Sequence, residues 1–250
     1  MTGASSGIGE APARELTARG WRCVLLARRE DRLRELAAEL GNGTDVEVCD
    51  VAEREDVERA AAAVLERHPA IALLVNNAGI PARGRFTEID AELIERVTRV
   101  NYLGGVWCLR AFLPGLQAAG DAHVVNVVSV SGTISFAPAG AYSASKHAQL
   151  AFSRSTAALL NGSGIRVHTV MPGFVETEGF PQKAVLKSWL LRRFVIDAPA
   201  VARSIANAVE KNKREVTVPW FPYRFVSIAQ AVVPGVVARF IGMSRHRGET

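Results

Sequence analysis

This chain of 250 residues has only three cysteines and five histidines, and no stretch of low complexity. Cys23, Cys49 and Cys108 are odd in number, stand in apolar or strand-like surroundings and lack the close spacing of metal ligands. We expect buried thiols in a reducing compartment. The histidines form no cluster, so no metal site is expected and each is read as structural. His147 directly follows Lys146, but a residue one step along a helix faces elsewhere. Also missing is a charged and then apolar leader ending in small residues, so the expectation is a cytoplasmic chain that is not secreted. The longest apolar region, beyond Trp220, is interrupted by Pro234-Gly235 and Arg239 and is too short to span a bilayer. No histidine and carboxylate are spaced near Ser129 as a hydrolytic serine would require.

What is present is enough apolar material, 48% of residues, to bury one large core, and α/β chains of this length are often one domain. The stretch Val124–Lys146 concentrates the chemistry. Val124–Val128 reads as a short buried strand that carries Ser129 to its end. Tyr142 and Lys146 stand four residues apart, on one face of a helix, where an ammonium can favour ionisation of a phenol. Alone, such a pair is common.

Its company makes it specific. Thr2-Gly3-Ala4-Ser5-Ser6-Gly7-Ile8-Gly9 opens the chain, Asn76-Asn77-Ala78-Gly79 follows an apolar strand, Asn101 sits on a later helix, and Pro172-Gly173 precedes Thr177. Together these motifs resemble the single-domain short-chain dehydrogenase/reductase family, from Thr2 to about Thr177. The resemblance implies an α/β fold, a doubly wound Rossmann-like parallel sheet flanked by helices, and an oxidoreductase acting on an alcohol or a carbonyl. Ser129, thirteen residues before Tyr142, matches the family spacing, whereas Ser131 lies further into the loop. By the same resemblance Tyr142 exchanges the proton, Lys146 holds the nicotinamide ribose, and Asn101 orders a water behind Lys146. Asp50 and Val51 meet the adenine, and Asn77, Ala78 and Gly79 lie along the adenosine side. Pro172, Gly173, Val175 and Thr177 close over the nicotinamide end.

Gly3, Ser5, Ser6, Gly7, Ile8 and Gly9 form the pyrophosphate loop, whose helix offers its first amides to the anion. A strand normally precedes such a loop, and none does here. In the family that strand is central, so we expect the natural start to lie upstream. Nineteen residues after Gly9, where an acid would hold a ribose hydroxyl, stands Arg28, followed by Arg29. This pattern suits a 2′-phosphate, and hence NADP(H). Asp50 has a second reading as a cap for the helix beginning near Glu53.

Further elements read as a strand over Trp21–Ala27, helix Glu30–Leu40, strand Val46–Cys49, strand Ile71–Val75, a continuous helix Ala91–Leu116, strand Gly164–Val170, helix Pro199–Glu210 and strand Glu215–Pro219. With the preceding strand restored, the sheet would have seven strands. Residues 174–191 are expected to be the substrate lid, its Phe180, Val185, Leu186, Trp189 and Leu190 favouring an apolar substrate. Residues 220–250 form a basic amphipathic extension. From Lys183 onward there are 12 Lys and Arg against 4 Asp and Glu, whereas the preceding residues hold 18 against 21. Its stripe of Phe225, Ile228, Val232, Val233, Val236, Val237, Phe240 and Ile241 can pack on the lid or a second subunit, in a homodimer or homotetramer. It can equally lie in a membrane interface. No reading helix or stacking motif points to nucleic acid. A catalytically silent dinucleotide sensor or assembly subunit is the alternative function, against which the retained Tyr142 and Lys146 speak.

Overall fold

The computed structural model describes residues 1–135, 137–176 and 195–237. Six strands form the central layer: β1 (Val24–Ala27), β2 (Asp45–Val48), β3 (Leu73–Asn76), β4 (Ala122–Val127), β5 (Ile165–Pro172) and β8 (Glu215–Val218). All their pairings are parallel, in the orders β2–β1 and β3–β4–β5–β8. Parallel neighbours need long crossovers, and helices supply them: α1 (Glu10–Ala18), α2 (Glu30–Leu40), α3 (Arg54–Arg67), α4 (Ala91–Thr98), α5 (Gly104–Ala119), α6 (Gly140–Leu159) and α7 (Ala198–Glu210). A strand covered on both faces is buried on both and is mainly apolar. Accordingly β4 is buried at every position and β5 at every position except Arg166.

The side-chain alternation of each strand divides the core. Leu25, Ala27, Val75, Val125 and Val127 join Leu16 of α1, Leu33 of α2 and Val201 and Ile205 of α7 on one face. Leu26, Leu74 and Val124 meet Val57 and Val64 of α3 and Phe112 and Leu116 of α5 on the other. Each such side chain contributes about 1.5–3 kcal/mol on burial, so the two clusters are the main source of stability. Cys23, Cys49 and Cys108 are buried and free, and burial pushes the Cys49 and Cys108 thiols up to about 12.

Between β1 and β3 lies the start of the chain. Thr2 N–H donates to Val75 O at 3.0 Å, Leu26 N–H to Met1 O at 2.8 Å and Ala4 N–H to Leu26 O at 3.3 Å. Thr2 thus bridges β1 in parallel and bonds β3 as well, joining the two sheets through a short connection. The six strands are those expected from sequence, with the place of the seventh bridged in this way.

Two differences from expectation stand out, and the helical stripe expected beyond Trp220 is found. The helix over residues 91–116 is divided by a π turn at Arg99–Leu103. There Gly104 backs onto Val51, where a Cβ would come within 2.8 Å of Val51 O, and the Asn101 amide bonds the main chain of Ile80. A short parallel pair, β6 (Phe174–Val175) with β7 (Val195–Ile196), was not foreseen. The stripe beyond Trp220 becomes α8 (Tyr223–Val232), whose Tyr223 and Val226 pack on Val130, Ile134 and Phe174. Among the described residues no helix is long and apolar enough to cross a membrane. Most of the expected lid, Thr177, Phe240, Ile241 and the last arginines lie outside the described residues.

Candidate active site

Parallel strands end at one edge, and the loops after β1, β2, β3, β4 and β5 meet there around a cavity of about 580 Å³. Its wall includes every described residue expected from sequence to bind cofactor or take part in catalysis except Asn101, buried just behind it.

At one end the wall is main chain. Gly3 and Gly7 have φ of 67° and 59°, which side chains rarely adopt. Gly9 caps α1, and a Cβ there would stand 1.9 Å from Gly3 O. The loop is fastened from below: Thr2 Oγ1 accepts from the amides of Asn77 and Ala78, both at 3.1 Å, and Asn77 Nδ2 donates to Thr2 O at 3.1 Å. Arg29 secures it from the side, its guanidinium donating to Ser5 O at 2.9 Å and Ser5 Oγ at 3.3 Å. Arg28 is more than half exposed, with Nη1 3.8 Å from Asp50 Oδ2. That carboxylate oxygen also accepts from Arg96 of α4 at 3.0 Å, while Oδ1 accepts from Ala52 N–H at 3.0 Å. Asp50 therefore fixes its own turn. The N-cap of α3 is Glu53, so the capping role read for Asp50 is not found.

At the other end three polar side chains converge. Ser129, just past β4, is hydrogen-bonded to the Tyr142 phenol, while its Oγ accepts from Ser131 N–H at 3.1 Å. Of the two serines considered, Ser129 is the one that meets the phenol. Burial pushes Tyr142 up to about 12, against the pull of Ser129 and of the Arg83 charge. Burial also pulls Lys146 down to about 7. Lys146 Nζ donates to Val127 O at 3.1 Å and Gln149 Oε1 at 2.8 Å, and stands 5.9 Å from the Tyr142 ring centroid. The expected lowering of the phenol by Lys146 is not found: burial dominates, and the groups that pull the phenol down are Ser129 and Arg83. Asn101 spends its side chain on structure: Oδ1 accepts from Ile80 N–H at 2.8 Å, and Nδ2 donates to Ile80 O and Ser145 Oγ, both at 3.1 Å.

Sequence reasoning missed Gln149, Arg96 and Arg83. Gln149 stands three residues past Lys146, on the same helical face, so spacing alone could have found it. Arg96 and Arg83 had no such signal, because only the fold brings them to Asp50 and to the cavity wall.

Bare main chain beside two guanidiniums at one end, and a buried phenol, hydroxyl and ammonium at the other, fit a dinucleotide with its pyrophosphate on the glycine loop and its nicotinamide beside Tyr142. Known proteins share the fold. The family model for short chain dehydrogenase matches residues 1–184. Mouse "Dehydrogenase/reductase SDR family member 7B" is 31% identical, over 100% of this chain and 81% of the mouse protein. A solved short-chain dehydrogenase from Streptomyces avermitilis superposes with a TM-score of 0.81 at 29% identity, covering 99% of this chain and 97% of the other. An actinorhodin polyketide ketoreductase, solved with NADPH, gives a TM-score of 0.78 at 31% identity, covering 87% and 93%. Because the family model spans residues 1–184 and the mouse relative matches the whole chain, this protein belongs to the short-chain dehydrogenase/reductase family of oxidoreductases.

Proposed function

We propose that this protein is an NADP(H)-dependent reductase of a ketone or aldehyde, working reversibly on the corresponding alcohol, with Tyr142 as the proton donor and acceptor. The observation that carries the proposal is the hydrogen bond of Ser129 to a half-buried Tyr142, one helical turn from Lys146. A bound nicotinamide would supply or take up the hydride. Ser129 would hold the substrate oxygen. Tyr142, protonated at neutral pH, would donate the proton in the reducing direction. Lys146 would orient the ribose, and with its charge held it would ease the return of the proton in the oxidising direction.

Arg28 and Arg29 would receive the 2′-phosphate, Gly3–Gly9 the pyrophosphate, and Asp50, Val51 and Asn77–Gly79 the adenosine side. The NADPH carried by the actinorhodin ketoreductase structure supports this choice. Asn101 would hold Ile80 and α6 in place behind Lys146, and Thr177 would reach the carboxamide or phosphate side. Ile80, Pro81, Ala82, Val130, Phe174 and Val175 line the remaining wall and favour an apolar substrate. We take residues 1–250 as one domain, acting as a homodimer or homotetramer in a reducing cytoplasm, where its free thiols would persist.

The test is Tyr142→Phe. A positioned acid is worth about 10² to 10⁴ in rate, so turnover should fall by that factor while NADPH affinity, followed by fluorescence, stays within a few-fold. Turnover near the parent rate on a confirmed substrate would remove Tyr142 from this role.

A further inference from the structure

Helix α8 is apolar on two sides. Its inner side is committed: Tyr223 lies on Gly173 and Phe174, Tyr223 Oη accepts from Phe174 N–H at 3.4 Å, and Ser227 Oγ meets Thr133 Oγ1 at 2.7 Å. Its outer side carries Phe225, Ile228 and Val232, at helical intervals of three and four and 55%, 52% and 73% exposed. Trp220 packs edge-on against Phe225 with ring centroids 5.2 Å apart, and Val236, also exposed, continues the apolar surface past the helix. Isolated exposed apolar residues are ordinary, but a contiguous stripe of this length marks a surface that meets something other than water.

Charge indicates what that partner is. From Val216 to Gly248 the sequence contains no Asp or Glu, yet it contains Arg224, whose Nη1 stands 3.9 Å from Glu215 Oε2, and Arg239, Arg245 and Arg247, which lie outside the described residues. Two-fold pairing with a second copy would bring this one-signed segment against itself, which opposes association. An aromatic and aliphatic stripe on a helix within a basic, acid-free segment is instead complementary to negatively charged lipid headgroups over hydrocarbon. We propose that the outer face of α8 docks this protein on an anionic membrane surface. The inner side of the same helix backs Phe174, which lines the cavity, so docking would set the apolar end of the cavity beside the lipid.

The experiment uses the full chain without added substrate, so its outcome is independent of the proposed activity. Flotation is measured with vesicles of phosphatidylcholine alone and of phosphatidylcholine mixed with phosphatidylglycerol, at low and high salt. The parent protein should float with the mixed vesicles at low salt and lose about tenfold or more of that binding in high salt or on neutral vesicles. Phe225→Glu combined with Ile228→Glu should stay in solution, with thermal midpoint and NADPH binding unchanged. Val232→Glu alone, at the most exposed position of the stripe, provides the same reading should the double variant fold poorly. A parent that ignores anionic vesicles overturns the proposal, as do variants that bind them undiminished. Variants that sediment as smaller species than a vesicle-indifferent parent would identify the face as a subunit interface.

Discussion

The two ends of the cavity are built by different means. At the glycine loop the surface offered to a ligand is the backbone itself, and neighbouring backbone dictates each position: Gly9 against Gly3 O, Gly3 against Ala78 Cα at 2.8 Å from a would-be Cβ, and Thr2 against Asn77 and Ala78. At the far end the surface is side chain, gathered from loops distant in sequence. There the Ile80–Gly84 loop meets the turn at Ala137–Ala139 through Gly84 N–H to Pro138 O at 2.9 Å. A backbone surface tolerates almost no substitution, whereas a side-chain surface can be re-cut without unmaking the fold. The first end therefore suits a ligand of fixed shape, and the second is where the reaction can be aimed at one substrate or another.

Breaking the rigid end should have the largest effect. Gly9→Val places carbon on Gly3 O, a backbone atom that cannot step aside, so NADPH binding should vanish and stability should fall by about 1–3 kcal/mol or more. Calorimetry and fluorescence titration would check both, and a variant that binds normally would show the loop to be pliable. Next comes the choice of cofactor. A charge-assisted contact of about 1.5–3 kcal/mol predicts that NADPH binds roughly ten- to more than a hundredfold more tightly than NADH. Arg28→Asp, which would place its carboxylate near that of Asp50, should reverse the order; equal parental affinities would refute the assignment of Arg28.

Lys146 stands at the join of the two ends, and its effect is on pH. Its folded value is about 7 against an ordinary 10.5. Between these values the unfolded chain holds a proton that the folded one does not, so stability should climb as pH rises through the window and be lower below it. Lys146→Met should flatten that climb in urea unfolding series, and an unchanged slope would assign it to other groups. The smallest effect belongs to the adaptable end. Phe174→Ala should raise substrate KM a few-fold by enlarging the apolar wall, while leaving cofactor affinity alone. An equal loss in cofactor affinity would show that the two ends are not separable.

The same division governs what could be read in advance. Helix Glu30–Leu40 was legible to the residue, because Leu33 and Leu36 face the core and Gly41 ends it at φ 57°. The glycine loop, Asn77–Gly79 and Ser129 were legible because their motifs resemble those of the family, and Tyr142 with Lys146 also because four residues on a helix share a face. The pairing of Asp50 with Arg96 was not, since 46 residues separate them. Nor was the burial that lifts Tyr142, which comes from packing around the finished cavity rather than from its helical neighbours. Arg83 is a third case, a surface-loop arginine by sequence whose charge reaches the phenol only once the loop is seated.

The π turn at Arg99–Leu103 sets the phase of everything after it. An α-helix advances about 100° per residue, so the extra residue held in that wide turn decides which side of α5 looks inward. Asn101 can face Ile80 and Ser145 while Leu109, Phe112 and Leu116 still face the sheet. Closing this turn into ordinary helix with every residue kept would swing the following side chains by about a quarter turn, whereas the wide turn absorbs the extra residue and keeps them in phase. With the turn closed, the core would lose its alignment with α3 although no core residue had changed, so it is the wide turn itself that keeps α5 in register with its neighbours.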